Sequence, residues 1–146
     1  MSPGLAVILF IIGLIIYKHI KKRQQKKEDD FIDKTIRSPR IARPKAHHAD
    51  GRKKSAEERQ ADLKIYHSRL ALAASNRSKA DKLRHKRAGA SHYIRRTCLD
   101  ERVCETCRNN DGKKFSWNRN PKSGHPGEGK CCPDGLCRCY AEAVFK

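Results

Sequence analysis

Asp100-Glu101-Arg102-Val103-Cys104-Glu105-Thr106-Cys107 opens the stretch on which the fold turns. Asp111-Gly112-Lys113-Lys114-Phe115-Ser116-Trp117, Gly124-His125-Pro126-Gly127-Glu128 and Cys137-Arg138-Cys139-Tyr140 follow it in order. All seven cysteines lie from Cys98 onward. Cys104-x-x-Cys107 is the first half of a zinc-type site, because a two-residue gap lets two thiolates reach one ion at about 2.3 Å. The second half must come from His125, Cys131, Cys132, Cys137 and Cys139. Between the halves, Asp111-Gly112 reads as the turn of a hairpin. Glycines and x-Pro pairs around it favour short strands and loops over helix. The expectation is a small β-rich, knuckle-like module over 98–146 stapled by a metal.

That module must be small. The chain has 146 residues, 37% apolar and 34% charged, and much of the apolar share falls in the first twenty positions. What remains buries too little surface to stand without a staple. The net charge of +18 is unevenly spread. Residues 18–60 hold 15 Lys and Arg against 7 Asp and Glu, 61–97 hold 10 against 2, and 98–146 hold 9 against 7. The basic field therefore belongs to the connector, and it suits nucleic acid, anionic lipid or an acidic protein surface. No base-reading motif, repeat or aromatic single-strand platform accompanies it, so any nucleic acid would be bound without sequence preference.

Leu5 to Tyr17 is apolar without a break, and Lys18 is the first charge. Residues 1–20 are accordingly predicted to form a transmembrane anchor, about 20 residues for a hydrocarbon core of roughly 30 Å. Lys18 and Lys21 would reach back to the interface, and Tyr17 would lie at it. Basic residues follow the run rather than precede it, and no small-residue cleavage site follows, which argues against a signal peptide. The basic flank places the bulk of the chain on the cytoplasmic side, or inside a virion facing its capsid.

Residues 21–54 read as a basic flexible linker interrupted by Pro39, Pro44 and Asp50-Gly51. His47 and His48 lack neighbouring ligands and read as solvated. Ser55-Ala56-Glu57-Glu58 has the capping-box form and starts a basic amphipathic helical region over 55–97. Leu63, Tyr66, Leu70, Ala73, Ala80 and Leu83 lie near one stripe, opposite Lys64, Arg69, Lys79, Lys82 and Lys86. Gly89 ends or breaks the helix. The fold class expected is thus small α+β: transmembrane helix, linker and helix, then the cysteine module.

The four motifs quoted first occur in the order and register of the C-terminal module of phage Mu F-like minor head proteins, which the last third of the chain resembles. The family pattern runs D-E-R-V-x-x-x-[CH], D-G-K-x-F-S-W, H-P-G-E, C-R-C-x-A-E. Carried over, the resemblance makes Cys107, His125, Cys137 and Cys139 metal ligands, with Cys104 matching members that carry a full Cys-x-x-Cys. It implies a structural zinc, a phage virion protein and capsid or other virion proteins as partners. The chain departs from the family twice. The large helical region before the module is replaced by the apolar segment and basic connector. A Lys130-Cys131-Cys132-Pro133-Asp134-Gly135 insert also lets Cys131 or Cys132 compete for the site.

Disulfides are the alternative to metal, although seven is an odd number and a reducing cytosol opposes them. Cys98 has no partner by spacing. Catalysis is not expected: Glu128 follows His125 as in zinc deaminases, but the Cys-x-x-Cys precedes the His where theirs follows it. Glu128 reads as a loop carboxylate, and no small-molecule substrate is implied. The function expected is a membrane-anchored phage structural protein. The alternative is a membrane-tethered zinc-ribbon protein that binds nucleic acid in a cell or prophage.

Overall fold

The computed structural model describes residues 3–145, with side chains over 7–145. Two units, 1–34 and 35–146, are described separately. Three helices and one three-stranded sheet confirm the small α+β class.

Helix α1, Pro3–Ile36, dominates the first unit. Pro3 suits the first helical position, where no amide is needed, and the Lys, Gln and Glu beyond residue 20 are good helix formers. The helix therefore runs through the segment expected to be flexible and stops short of Pro39, with the Ser38 hydroxyl donating to Thr35 O at 2.8 Å. The anchor expected over 1–20 is corrected. Among the described residues, no helix is long and apolar enough to cross a membrane. The reason is length: the unbroken apolar run of α1, Leu5–Tyr17, covers about 20 Å of helix against a core of roughly 30 Å. From Lys18 onward α1 is charged. Met1 and Ser2 of the expected anchor lie outside the described residues, as do the side chains of residues 3–6. The single-pass membrane location falls with the anchor.

The connector is also more ordered than its composition suggests. His47 bridges Lys53, His48 N donates to Arg52 O at 2.8 Å, and Asp50-Gly51 makes the turn with Gly51 at φ 86°. Lys54 ties this loop to the following helix through Asp62 at 2.6 Å.

Helix α2, Ala56–Arg87, starts on the expected capping box. Glu58 N donates to Ser55 Oγ at 3.2 Å and Ser55 N to Glu58 Oε2 at 2.7 Å. It ends with Arg84, His85, Lys86 and Arg87 in its last turn, where cations suit the helix dipole. Gly89, at φ 90°, reverses the chain. The helix thus ends at Gly89 as expected, but the rest of the region grouped with it to residue 97 is not helical, because His92–Thr97 is strand β1. Its burial alternates, so that Tyr93, Arg95 and Thr97 face inward.

After β1 come helix α3, Glu105–Asn109, strand β2, Lys114–Ser116, and strand β3, Cys139–Val144. The sheet order is β2-β1-β3, antiparallel throughout, with Tyr93 opposite both Phe115 and Ala143 and Thr97 opposite Cys139. Asp111-Gly112 is not a hairpin turn as expected. It carries the chain from α3 into β2, which pairs antiparallel with β1, the preceding strand, across the intervening α3. Gly112 N donates to Arg95 O at 2.8 Å, and Asp111 Oδ1 accepts from Thr97 N at 2.8 Å.

Candidate metal centre

Two small cores lie on the inner side of β1. The first is aromatic. Trp117 and Tyr93 are fully buried with ring centroids 4.2 Å apart, and His125 stands 5.2 Å from Trp117. The second is made of sulfur: Val103, Cys107, Cys137 and Cys139, with Cys104, Cys131 and Cys132 packed against them.

Each sulfur arrives by a local device. Cys104 is the N-cap of α3 and Cys107 lies in its first turn, so the two-residue gap points both at one place. Cys131 and Cys132 come from two successive turns, in which Cys132 N donates to Gly129 O and Gly135 N to Cys132 O, each at 3.0 Å. Cys139 begins β3. The Asp-Glu-Arg-Val and Cys-Arg-Cys motifs are clasped by Arg138 and Asp100 at 2.7 Å.

The sulfurs form two groups able to hold a metal ion: Cys104, Cys107, Cys131 and Cys132, and Cys107, Cys137 and Cys139. All seven cysteines are free of disulfides. In the first group Cys107 Sγ lies 3.3 Å from Cys131 Sγ and 3.9 Å from Cys132 Sγ, and Cys132 Sγ lies 3.8 Å from Cys104 Sγ. A tetrahedral ion with metal–sulfur bonds of about 2.3 Å needs sulfurs about 3.8 Å apart. Three of the six separations among the four thiols thus lie between 3.3 and 3.9 Å, close to that edge length, and all six lie within 4.8 Å. Cys107 belongs to both groups, with Cys137 Sγ at 3.9 Å.

Without metal, the thiols distribute protons unequally. Burial pushes Cys107 up to about 12. Cys137 is drawn down to about 4, chiefly by its hydrogen bond with Cys139, whose own pKa rises through the same contact. Burial pushes Cys132 up. For Cys104 burial acts upward too, but the Cys107 backbone amide and neighbouring sulfurs outweigh it, and its pKa falls. A bound cation would take thiolates from all of its ligands, so metal binding must release protons.

Of the expected ligands, the structure brings Cys104, Cys107, Cys137 and Cys139 into the sulfur core, and Cys131 and Cys132 with them. His125 stands outside both metal groups. It is 2% exposed, with Nε2 3.2 Å from Lys82 Nζ and Nδ1 2.9 Å from Tyr93 Oη. An ammonium has no acceptor lone pair, so Nε2 must accept and Nδ1–H must donate to the tyrosine. Both ring nitrogens are thereby occupied. Burial, then the Lys82 charge, lowers the His125 pKa, and burial raises Tyr93 to about 12. Lys82, expected on the solvent-facing basic face, instead turns toward this histidine.

Glu128 is the loop carboxylate expected: it accepts from His125 N at 2.9 Å, and Glu128 N donates to His125 O at 3.1 Å. The loop then meets α2 so closely that a Cβ on Gly127 would stand 2.9 Å from Ala74 O, at φ 86°. His47 and His48 join neither metal group, and His48 faces Glu58 at 3.4 Å. Cys98 is exposed and donates to Arg138 O at 3.2 Å.

The residue that sequence reasoning missed is Arg95. It is fully buried, and its Nη2 lies 3.6, 3.7 and 4.0 Å from the sulfurs of Cys107, Cys137 and Cys131. The alternation of β1 turns Arg95 inward, but it becomes visible only once the strand is paired with β2 and β3.

No family model, curated protein or solved structure matches this chain.

Proposed function

We propose that the protein is a non-catalytic structural component of a phage-type particle, and that its C-terminal module is a zinc-stapled docking unit. The observation that carries the zinc is the closed set of Cys104, Cys107, Cys131 and Cys132 at near-tetrahedral spacing. Four thiolates suit Zn²⁺ and leave no open position for water or substrate, as in structural zinc sites. The nearby Glu128 is held in its own loop and His125 in the Lys82–Tyr93 pair, so neither stands free as a general base.

The particle role rests on the ordered motifs shared with Mu F-like minor head proteins. Their residues cooperate in the fold in a way that supports this reading: Asp100 with Arg138, Trp117 with Tyr93 and His125, and the His-Pro-Gly-Glu loop against α2. The basic residues of the connector and α2 would meet packaged nucleic acid through its phosphates, without base readout. Elemental analysis of protein purified under reducing conditions tests the staple, with stoichiometric zinc expected and its absence decisive against it. Detection of the protein in purified particles tests the role. Particles lacking it, produced by cells that express it, would overturn that role.

A further inference from the structure

The sulfur core holds more ligands than one ion can use. Cys104, Cys107, Cys131 and Cys132 supply the four ligands of a tetrahedral ion, yet Cys137 and Cys139 lie buried beside them and share Cys107. Five thiols around the shared Cys107 sulfur invite a second metal bridged through it. The second group, however, offers only three sulfurs, and a cation already stands on it.

That cation is Arg95. Its Nη2 donates toward Cys107 at 3.6 Å and Cys137 at 3.7 Å, with Cys131 farther at 4.0 Å, while Nη1 donates to Ser123 Oγ at 2.8 Å and Gly124 O at 3.1 Å. The backbone fixes its position, because Arg95 is opposite Ala141 and Arg95 N donates to Lys113 O at 2.9 Å. A guanidinium stays protonated under all ordinary conditions. A dication bound to four thiolates leaves an excess of two negative charges in a buried site, and an arginine at hydrogen-bond distance offsets part of it.

We propose that the six-sulfur pocket binds one divalent metal and one guanidinium, with Arg95 standing in for a second metal on the Cys107–Cys137–Cys139 side. This rests on the reading of the four-cysteine set as a zinc site. A second dication would have to sit beside the fixed positive charge with an incomplete ligand set. Arg95 thereby limits the site to single occupancy and links the metal to the Ser123–Gly124 segment that enters the His-Pro-Gly-Glu loop.

The test is metal stoichiometry on the full chain, by zinc and Co²⁺ titration under reducing conditions with native mass spectrometry. The wild type is expected to bind one ion even in excess metal, Arg95→Gln two, and Arg95→Lys one. Two ions in the wild type, or a single ion in a folded Arg95→Gln protein, would overturn the proposal while leaving the zinc reading intact. No ion in the wild type would overturn the zinc reading itself. If Arg95→Gln fails to fold, the wild type's Co²⁺ titration decides. Thiolate absorption that saturates at one equivalent supports the proposal, and a further thiolate band that fills toward a second equivalent refutes it.

Discussion

Cys107 and Cys98 are two cysteines with opposite environments. Cys107 is 1% exposed and lies within 4 Å of three other sulfurs, whereas Cys98 is exposed and touches only a carbonyl. Cys107→Ser is expected to abolish tight metal binding and destabilise the module by at least about 3 kcal/mol, as for other losses of a structural metal or buried network. Cys98→Ser should stay within about 0.5 kcal/mol of the wild type. Chemical denaturation of both variants with zinc present measures the contrast.

His125 supplies a pH dependence at the same scale. Its pKa in the folded chain lies below the ordinary histidine value of about 6.5, so the unfolded state binds the extra proton first. Its contribution to stability is complete above about pH 6.5 and is lost as pH falls from there through the lower folded value. Zinc-loaded protein should therefore melt progressively lower on acidification. His125→Gln, which removes this titration, should show a shallower decline, and parallel curves would show that His125 is not responsible.

Among the elements, α2 most depends on local chemistry. Its capping box satisfies two amides at the N-terminus, and Ser55→Ala should cost about 1 kcal/mol, read as a lower denaturation midpoint. At its other half the helix depends on a neighbour. Gly127 sits in the left-handed region against the Ala74 carbonyl, so Gly127→Ala must both strain φ and push the loop off the helix. A loss of at least about 2 kcal/mol is expected, because both effects act together. Equal stability of the two proteins would mean that the loop does not rest on α2. Strand β1 illustrates a limit of pattern reading. His92–Thr97 directly follows a long helix with good formers, and its alternation is masked by Arg95 and Arg96, polar residues at adjacent positions. Only pairing with β2 and β3, from distant sequence, makes it the central strand.

For the whole molecule, the consequence is division of labour between local and long-range stabilisation. The 35–146 unit joins a capped helix to a sheet whose cores are one aromatic cluster and one sulfur cluster. A chelator should collapse the sulfur core and release the sheet, while much of the helical signal of α2 persists. Loss of near-ultraviolet signal from Trp117 ahead of far-ultraviolet helical signal would show it. Simultaneous loss of both would mean that α2 has no stability apart from the staple.

Sequence alone determined what depends on near neighbours. It identified the Ser55–Glu58 cap, the helix that follows, Glu128 as a loop carboxylate, the α+β class and the gathering of cysteines in the last third. Each rests on contacts within a few residues, for which spacing is a sufficient guide. The apolar N-terminal run was legible as a helix, but among the described residues no helix is long and apolar enough to cross a membrane. Tertiary structure decided the rest. It brought Cys131 and Cys132 to the Cys104–Cys107 pair, engaged both nitrogens of His125 with Lys82 and Tyr93, and placed Arg95 among the sulfurs. Those outcomes depend on segments separated by tens of residues meeting on one face of β1, and convergence of that kind leaves no signature in local spacing.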